Sequence, residues 1–136
     1  MRAFPHMPEK FRALRVLVVE DELLIRWSIA ETLTRIGHTV IEAEDGATAI
    51  SRLKDLGKAF DAVVLDYRLP DSNDLTLLAT IRRLSPHGAV ILMTAFGTPE
   101  VTKEALDLGV YRVLNKPFEI EDLEPLLQDA CRARSG

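Results

Sequence analysis

Several acidic residues stand directly after short apolar runs, where the fold could expose them for chemistry. Glu20, Asp21 and Glu22 follow one such run, and Asp66 follows another. Carboxylates that converge on one spot repel each other unless a cation lies among them, and hard oxygen ligands suit Mg²⁺. An aspartate carboxylate can also act as a nucleophile and form an aspartyl phosphate. A fold that gathers these acids would therefore create a site for Mg²⁺ and phosphoryl transfer.

Thr94 and Lys116 also come at the ends of apolar runs. A lysine charge and a hydroxyl donor beside a bound cation would neutralise the oxygens of a transferring phosphoryl group. No histidine or cysteine stands close to these residues in the sequence, which argues against zinc. The residue types thus predict phosphoryl chemistry centred on Asp66.

Short β-rich runs alternate with helical stretches, and these elements must position the candidate residues. We predict strands at Val16–Val19, Val40–Ala43, Ala62–Leu65, Ala89–Met93 and Tyr111–Leu114. Apolar residues recur at helical spacing after each strand. The helices are expected to end near Gly37, Gly57, Pro86 and Gly109, and the last helix to begin near Glu119.

Strands that alternate with helices predict an α/β protein with a parallel sheet covered on both faces. Right-handed crossovers favour a single doubly wound (βα)5 fold of the flavodoxin-like type, with strand order 2-1-3-4-5. Ligands bind at the carboxyl ends of such strands, near the switch point between strands one and three. Glu20, Asp21 and Asp66 are therefore expected to meet there.

Composition narrows the class of protein. The chain has 136 residues, enough for one domain, and the 17 Lys and Arg against 21 Asp and Glu give a net charge of −4. This mildly acidic balance argues against direct nucleic-acid binding. No apolar run approaches the length of a membrane span, no signal peptide is visible, and the one cysteine cannot form an internal disulfide. These features predict a cytoplasmic protein with no membrane contact.

The domain boundaries follow from the same patterns. Residues 1–12 contain prolines and mixed charges and are predicted to be a flexible leader. Residues 13–131 carry the alternating elements and form the predicted domain. Residues 132–136 are predicted to be a tail or the start of a linker.

Four motifs lie at the predicted strand ends: Val16–Glu22, Leu65–Asp71, Met93–Ala95 and Asn115–Phe118. Together they resemble the response-regulator receiver domain of bacterial two-component signalling. The resemblance covers roughly residues 14–130. Ile25-Arg26-Trp27 and the stretch Leu69–Leu78 are most similar to receivers of nitrogen-regulation-type regulators.

The resemblance implies a role for each matching acid. Asp66 would be the phospho-acceptor and one of the metal ligands. Glu20 and Asp21 would hold Mg²⁺ with it, and the backbone carbonyl of Arg68 would be a further ligand.

The resemblance also assigns the remaining motif residues. Thr94 and Lys116 would bind the phosphoryl group and act with Asp66 as the reactive set. The peptide bond between Lys116 and Pro117 is expected to be cis, as is usual in this family and tolerated before proline.

The function implied by the resemblance is signalling rather than enzymatic turnover. A sensor histidine kinase or a phosphotransfer protein would donate the phosphoryl group, and slow autodephosphorylation would remove it. The surface formed by the fourth helix, fifth strand and fifth helix would then switch, form a homodimer or bind an output domain or partner. Transcription regulation is the expected output, and the chain either stands alone or belongs to a longer regulator.

Three positions depart from the family pattern. Glu20 replaces the more usual aspartate and would reach a metal through water, and Asp74 replaces a common glycine. Val113 stands where the family has its switch aromatic, and Tyr111, two residues earlier, is expected on the same side of the strand. Movement of Thr94 would then have to carry the switch without an aromatic rotation.

Three other functions compete with this hypothesis. A phosphatase or mutase of the dehalogenase type needs an acid two residues after the nucleophile, where Arg68 stands, and a cap domain for which there is little room. A flavodoxin-like FMN carrier needs a phosphate-binding loop after the first strand, where Glu20 and Asp21 would repel phosphate. A degenerate receiver would bind partners without phosphorylation.

The remaining conspicuous residues have structural interpretations. Trp27 is expected to pack or to contact a partner, and Cys131 to be small and at least half buried. His38 and His87, each beside a helix-ending residue, are expected to be exposed in loops.

Overall fold

The computed structural model describes residues 11–56, 60–72 and 75–135, which form an open sheet between two layers of helices. The strands are β1 (Arg15–Val19), β2 (Thr39–Ala43), β3 (Ala62–Asp66), β4 (Ala89–Thr94) and β5 (Arg112–Asn115). The helices are α1 (Leu23–Ile36), α2 (Gly46–Leu56), α3 (Thr76–Leu84), α4 (Pro99–Asp107) and α5 (Leu123–Ser135). A short 3-10 helix at Ile120–Asp122 leads into α5.

The sheet topology confirms the predicted doubly wound fold. The strand order is β2-β1-β3-β4-β5 and every pairing is parallel. The central strands β3 and β4 are buried throughout, as strands covered on both faces must be. Since β1 and β3 are parallel neighbours, the loops after them lie side by side at the carboxyl ends of the strands.

Two apolar clusters hold the helices to the sheet. Alternate residues of the strands point to opposite faces, so that Leu17 and Val63 pack with α2, α3 and α4, whereas Val18 and Val64 pack with α1 and α5. Both clusters are contributed by short strands and one stripe of each helix. Helices therefore pack on both faces of the sheet, and this packing holds the carboxyl ends of the strands in place.

The ends of the helices agree with the sequence in most places. Gly37 ends α1 with φ at 126°, a backbone conformation that favours glycine, and its N–H bonds to the carbonyl of Leu33. The helix α5 continues through Arg132 to Ser135, into the segment that the sequence assigned to a tail. Gly57, Asp74 and the leader residues 1–10 lie outside the described residues.

His38 corrects an expectation, because it is buried rather than exposed. Its Nδ1 accepts a hydrogen bond of 2.9 Å from the N–H of Leu14, and its Nε2 lies 2.8 Å from Glu124 Oε2. Gln128 donates to the same Glu124 oxygen at 2.9 Å and to the carbonyl of Arg12 at 2.8 Å. The histidine thereby ties the α1–β2 turn to α5 and to the residues before β1, a set of neighbours that sequence spacing does not reveal.

Tyr111 corrects a second expectation. Val113 packs with the cluster on the α2, α3 and α4 face, whereas Tyr111 packs with the cluster on the α1 and α5 face. The two-residue alternation applies only within a regular strand, and β5 begins at Arg112, so that Tyr111 lies in the bend before it. Tyr111 therefore does not share the side of Val113.

Candidate functional site

The acids predicted to meet lie together at the carboxyl edge of the sheet. Glu20 follows the last residue of β1, and Asp66 is the last residue of β3, with Val19 and Leu65 paired in register just before them. Carboxylate oxygens of Glu20, Asp21 and Asp66 all lie within 4.8 Å of one another. Adjacent parallel strands thus place these acids in one cluster.

Lys116 connects the cluster to β5. Its Nζ donates a hydrogen bond of 2.7 Å to Glu20 Oε1 and lies 3.2 Å from Asp66 Oδ1. The side chain of Glu20 is fully buried, and Asp66 is only 6% exposed. Lys116 thus contacts two of the three carboxylates, and the formal charges of these four residues sum to a net negative value.

Burial has the largest single effect on the pKa of each buried acid in the site. Burial raises the pKa of Glu20 and of Asp66 above the ordinary values, although contacts with Lys116 act in the opposite direction. For Lys116, burial lowers the pKa, but the hydrogen bond to Glu20 and the charge of Asp66 outweigh it and the pKa is raised. The lysine consequently stays charged beside the acids.

The backbone around Glu20 is held on several sides. Its N–H donates to the carbonyl of Ala43 at 3.0 Å, and its Oε2 accepts from the N–H of Glu22 at 3.1 Å. The carbonyl of Glu20 accepts a hydrogen bond of 2.9 Å from Arg26 Nη1. Sequence reasoning noticed Arg26 only as part of a motif and did not assign it this contact.

Thr94 ends β4 at the same edge of the sheet. It lies one residue beyond Met93, which is paired in register with Asp66, and it is buried. Its hydroxyl accepts a hydrogen bond of 3.2 Å from the N–H of Phe96, and its carbonyl accepts one of 2.8 Å from the N–H of Lys116. The Lys116–Pro117 bond is cis, which confirms that expectation.

Arg68 lies in the loop directly after β3, with its side chain exposed. Its guanidinium lies 5.9 Å from the centre of the Phe96 ring, at the start of the loop after β4. The role predicted for its backbone carbonyl as a metal ligand stays a prediction.

Asp71 is a residue that sequence reasoning did not single out. Its carboxylate accepts hydrogen bonds from the N–H groups of Gly46 and Ala47, at 2.8 and 3.0 Å, and so caps the first turn of α2. Leu69 and Ser72 exchange backbone hydrogen bonds around it, which closes a tight turn five residues after Asp66. An aspartate next to a turn proline was the available signal, but its partner lies in a different element.

The cluster has the chemistry of a hard divalent cation site. Glu20, Asp21 and Asp66 offer only oxygen donors, and their mutual repulsion is not fully balanced by Lys116. The residues present therefore fit Mg²⁺, the metal that the sequence predicted. Among the described residues, no helix combines the length and the apolar character that a membrane span requires.

An open parallel sheet with its acids at the switch point defines the class of doubly wound α/β proteins that bind ligands at the carboxyl edge. Comparison with protein families is more specific, because the model of the response regulator receiver domain matches residues 16–128. The chain belongs to this family, whose members are signalling domains rather than classical enzymes. The resemblance stated from the motifs is confirmed.

Individual relatives support the assignment. The transcriptional regulatory protein PdtaR of Mycobacterium tuberculosis is 36% identical over 117 residues, which is 84% of this chain and 55% of PdtaR. A crystal structure of NtrX from Brucella abortus is 30% identical, with a TM-score of 0.81, over 91% of this chain and 28% of NtrX. The chain thus spans about half of the first relative and a smaller part of the second.

A third comparison concerns the fold. A CheY-like receiver domain protein from Methanospirillum hungatei aligns with a TM-score of 0.84 over 91% of this chain and 98% of that protein. At 22% sequence identity, the likeness concerns the fold alone. It shows that the whole described architecture recurs in a solved receiver structure.

Proposed function

We propose that this chain is the phospho-accepting receiver of a two-component response regulator, with Asp66 as the acceptor. The observation that carries the proposal is the convergence of Glu20, Asp21 and Asp66 within 4.8 Å, with Lys116 in contact with two of them. The donor is a phosphohistidine on a sensor histidine kinase or a phosphotransfer protein.

The transfer is a displacement at phosphorus. A carboxylate oxygen of Asp66 forms the new P–O bond while the P–N bond of the phosphohistidine breaks, and the leaving imidazole takes up a proton. Lys116 holds its charge beside the attacking carboxylate and neutralises the phosphoryl oxygens. The products are an aspartyl phosphate and a neutral histidine.

Glu20, Asp21 and Asp66 would hold the Mg²⁺, with the carbonyl of Arg68 as a further ligand. Bound Mg²⁺ supplies positive charge to the phosphoryl oxygens, which lowers the repulsion between them and the acids. The burial of Glu20 keeps its carboxylate fixed against Lys116 and Glu22 rather than free in solvent.

Phosphorylation replaces the single negative charge of the Asp66 carboxylate with a phosphoryl group that carries about 1.5 to 2 negative charges. The hydroxyl of Thr94 and the ammonium of Lys116 would be drawn to this charge and would shift β4, β5 and the loops after them. The surface of α4, β5 and α5 would then change its affinity for an output partner or for a second copy of the chain. Val113 has no aromatic ring that could rotate inward on phosphorylation. The conformational change of the surface therefore runs through Thr94.

The setting of the proposal follows the relatives. PdtaR is a transcriptional regulatory protein, and we infer transcription regulation as the output here. The acidic net charge of −4 argues that a partner or a further domain, rather than this receiver, contacts nucleic acid. We place the chain in the cytoplasm, where a kinase can donate to it, and expect only phosphorylation from a donor and slow autodephosphorylation as chemistry.

Intact-protein mass spectrometry after treatment with acetyl phosphate and Mg²⁺ tests the proposal. The wild-type chain is expected to gain one phosphoryl group, and Asp66→Asn or a chelator is expected to abolish the gain. Beryllofluoride, which mimics a phosphoryl group, is expected to bind only with Mg²⁺ present.

The outcomes separate the competing functions. A label on a residue other than Asp66 would contradict the proposal. A folded chain that neither gains the group nor binds beryllofluoride would be a degenerate receiver. Arg68 at the position of the second acid and the receiver family match disfavour a dehalogenase-type phosphatase. A yellow preparation would indicate an FMN carrier instead.

A further inference from the structure

Arg26 makes a connection that the proposed chemistry does not use. It lies in the first turns of α1, and its Nη1 donates a hydrogen bond of 2.9 Å to the backbone carbonyl of Glu20. Its Nε donates one of 3.0 Å to Glu42 Oε1 on β2. The side chain is only 15% exposed, whereas Arg35 on the same helix is 70% exposed.

The contact falls on the peptide that links the two acids after β1. The carbonyl of Glu20 and the N–H of Asp21 belong to one planar peptide unit. A hydrogen bond that fixes the direction of the carbonyl therefore also fixes the orientation of the backbone N–H of Asp21. The N–H of Glu20 is already held by the carbonyl of Ala43. With Arg26 in place, the backbone of Glu20 is held at both of its polar groups.

We propose that Arg26 is a positioning residue for the divalent cation: its guanidinium, oriented by Glu42, holds the Glu20–Asp21 peptide so that the exposed Asp21 carboxylate joins those of Glu20 and Asp66. This inference rests on the proposed function, because it concerns the metal of that site. It assigns a role to the arginine of the Ile25-Arg26-Trp27 motif.

The planar guanidinium is needed because two hydrogen bonds leave it toward two different elements. A lysine offers a single ammonium on a flexible stem and cannot hold both partners in the same fork geometry. Arg26→Lys therefore keeps the charge while removing the fork.

Positioning and simple charge predict opposite results. Arg26 places a positive charge next to the acids, and by Coulomb repulsion alone its removal would strengthen the binding of a cation. If Arg26 acts by positioning, its removal weakens binding despite the lost repulsion. The sign of the change in Mg²⁺ affinity thus distinguishes the two roles.

The experiment is a titration of the ¹⁵N-labelled chain with Mg²⁺, followed by the amide signals of Asp21 and Asp66. The variants are Arg26→Lys, Arg26→Ala and Glu42→Gln, together with the double variant of Arg26→Lys and Glu42→Gln. Arg35→Ala is the matched control, because this arginine lies on the same helix, is 70% exposed and pairs with exposed Glu31 at 4.0 Å. The same spectra show whether each variant is folded.

We expect Arg26→Lys to raise the Kd for Mg²⁺ about tenfold, the usual scale for residues that orient metal ligands. Glu42→Gln should weaken binding less, and the double variant should fall short of the sum because both changes disturb one chain of contacts. Arg35→Ala should leave the Kd unchanged. Phosphorylation of Arg26→Lys by acetyl phosphate should recover at saturating Mg²⁺.

An unchanged or lower Kd in folded Arg26→Lys would overturn the positioning role while leaving the proposed function intact. If Arg26→Ala fails to fold, Arg26→Lys still decides the matter, because it keeps the charge and removes only the fork geometry. A wild-type chain whose Asp21 and Asp66 signals do not respond to Mg²⁺ would overturn both this inference and the metal site of the proposed function.

Discussion

The chemistry of the site comes down to the balance between buried acids and one lysine. Lys116 reaches Glu20 at 2.7 Å and Asp66 at 3.2 Å, so that its charge is shared by two carboxylates. Glu20, one methylene longer than the aspartate common in the family, spans the distance to Lys116 from the end of β1. Burial nevertheless disfavours the ionised form of each acid, and it raises the pKa of both Glu20 and Asp66.

Neutralising Asp66 is therefore expected to stabilise the chain when Mg²⁺ is absent. Asp66→Asn removes a buried charge and its repulsion with Glu20 and Asp21, while Lys116 keeps its hydrogen bond to Glu20. We expect the free energy of unfolding to rise by about 1 kcal/mol, the size of a typical single substitution. Urea denaturation in the presence of a chelator measures it.

Asp107→Asn is the control for this prediction, because its carboxylate pairs with Lys103 in solvent and should contribute little. Added Mg²⁺ should narrow the difference between wild type and Asp66→Asn, since the cation removes the same repulsion. A lower urea midpoint for Asp66→Asn would show that the contact with Lys116 outweighs burial and repulsion.

At the scale of elements, α2 depends on a cap from another part of the chain. Asp71, in the loop between β3 and α3, accepts the N–H groups of Gly46 and Ala47. The helix also has a local cap, since Asp45 accepts the N–H of Thr48 at 2.8 Å. Two carboxylates thus satisfy the first turn of α2, and one of them joins it to the loop that follows Asp66.

Removing the Asp71 cap should destabilise both the first turn of α2 and the loop between β3 and α3. Asp71→Ala is expected to lower the free energy of unfolding by about 1 kcal/mol, and Asp71→Asn by less, because an amide oxygen still accepts a hydrogen bond. Urea denaturation gives the energy, and amide hydrogen exchange at Gly46 and Ala47 locates the loss.

Asp129→Ala serves as the comparison, because Asp129 pairs with Arg132 on the exposed surface of α5. We expect its effect to stay below about 0.5 kcal/mol. Unchanged exchange at Gly46 and Ala47 in Asp71→Ala would mean that Asp45 alone maintains the first turn.

At the scale of the molecule, a cluster of apolar side chains on each face holds the sheet together. Cys131, the one cysteine in the sequence, lies in the cluster between the sheet and α5 and is only 3% exposed. Burial raises the pKa of its thiol, and the charge of Asp61 acts in the same direction. The thiolate, which is the reactive form, is therefore both scarce and shielded.

Cys131 should report the opening of this cluster. We expect its alkylation by iodoacetamide at neutral pH to be roughly a hundredfold or more slower in the native chain than in urea, because the reagent must wait for local or global opening. Mass spectrometry of timed samples follows the reaction. Equal rates in the native and unfolded chain, relative to free N-acetylcysteine under each condition, would show that α5 does not protect the thiol.

The sequence predicted the fold because its signals were local and regular. Apolar runs alternating with amphipathic stretches indicated five strands and five helices. The handedness of crossovers favoured the strand order 2-1-3-4-5, which the structure has. The convergence of Glu20, Asp21 and Asp66 followed from that order. The roles of these residues and of Thr94, Lys116 and Arg68 remain predictions until the phosphorylation experiment is done.

Sequence patterns predicted a side chain's position wrongly in two situations. In one, a contact joins distant segments of the chain, and in the other, a strand begins one residue later than predicted. His38 stands beside a helix-ending glycine, which suggested an exposed loop, yet it bonds with Leu14 and Glu124 in the interior. Tyr111 was placed by strand periodicity, but β5 begins only at Arg112. In both cases packing against other elements, rather than local spacing, decided where the side chain lies.

The sequence by itself therefore determined the elements, their order in the sheet and the family, because hydrophobic periodicity and strand-end motifs are properties of neighbouring residues. Only the tertiary structure decided which side chains hold the site in place. Lys116 binding Glu20, Arg26 holding the peptide between Glu20 and Asp21, and Asp71 capping α2 each join different elements. Directional hydrogen bonds of this kind depend on distances set by the whole packed sheet, which sequence spacing does not contain.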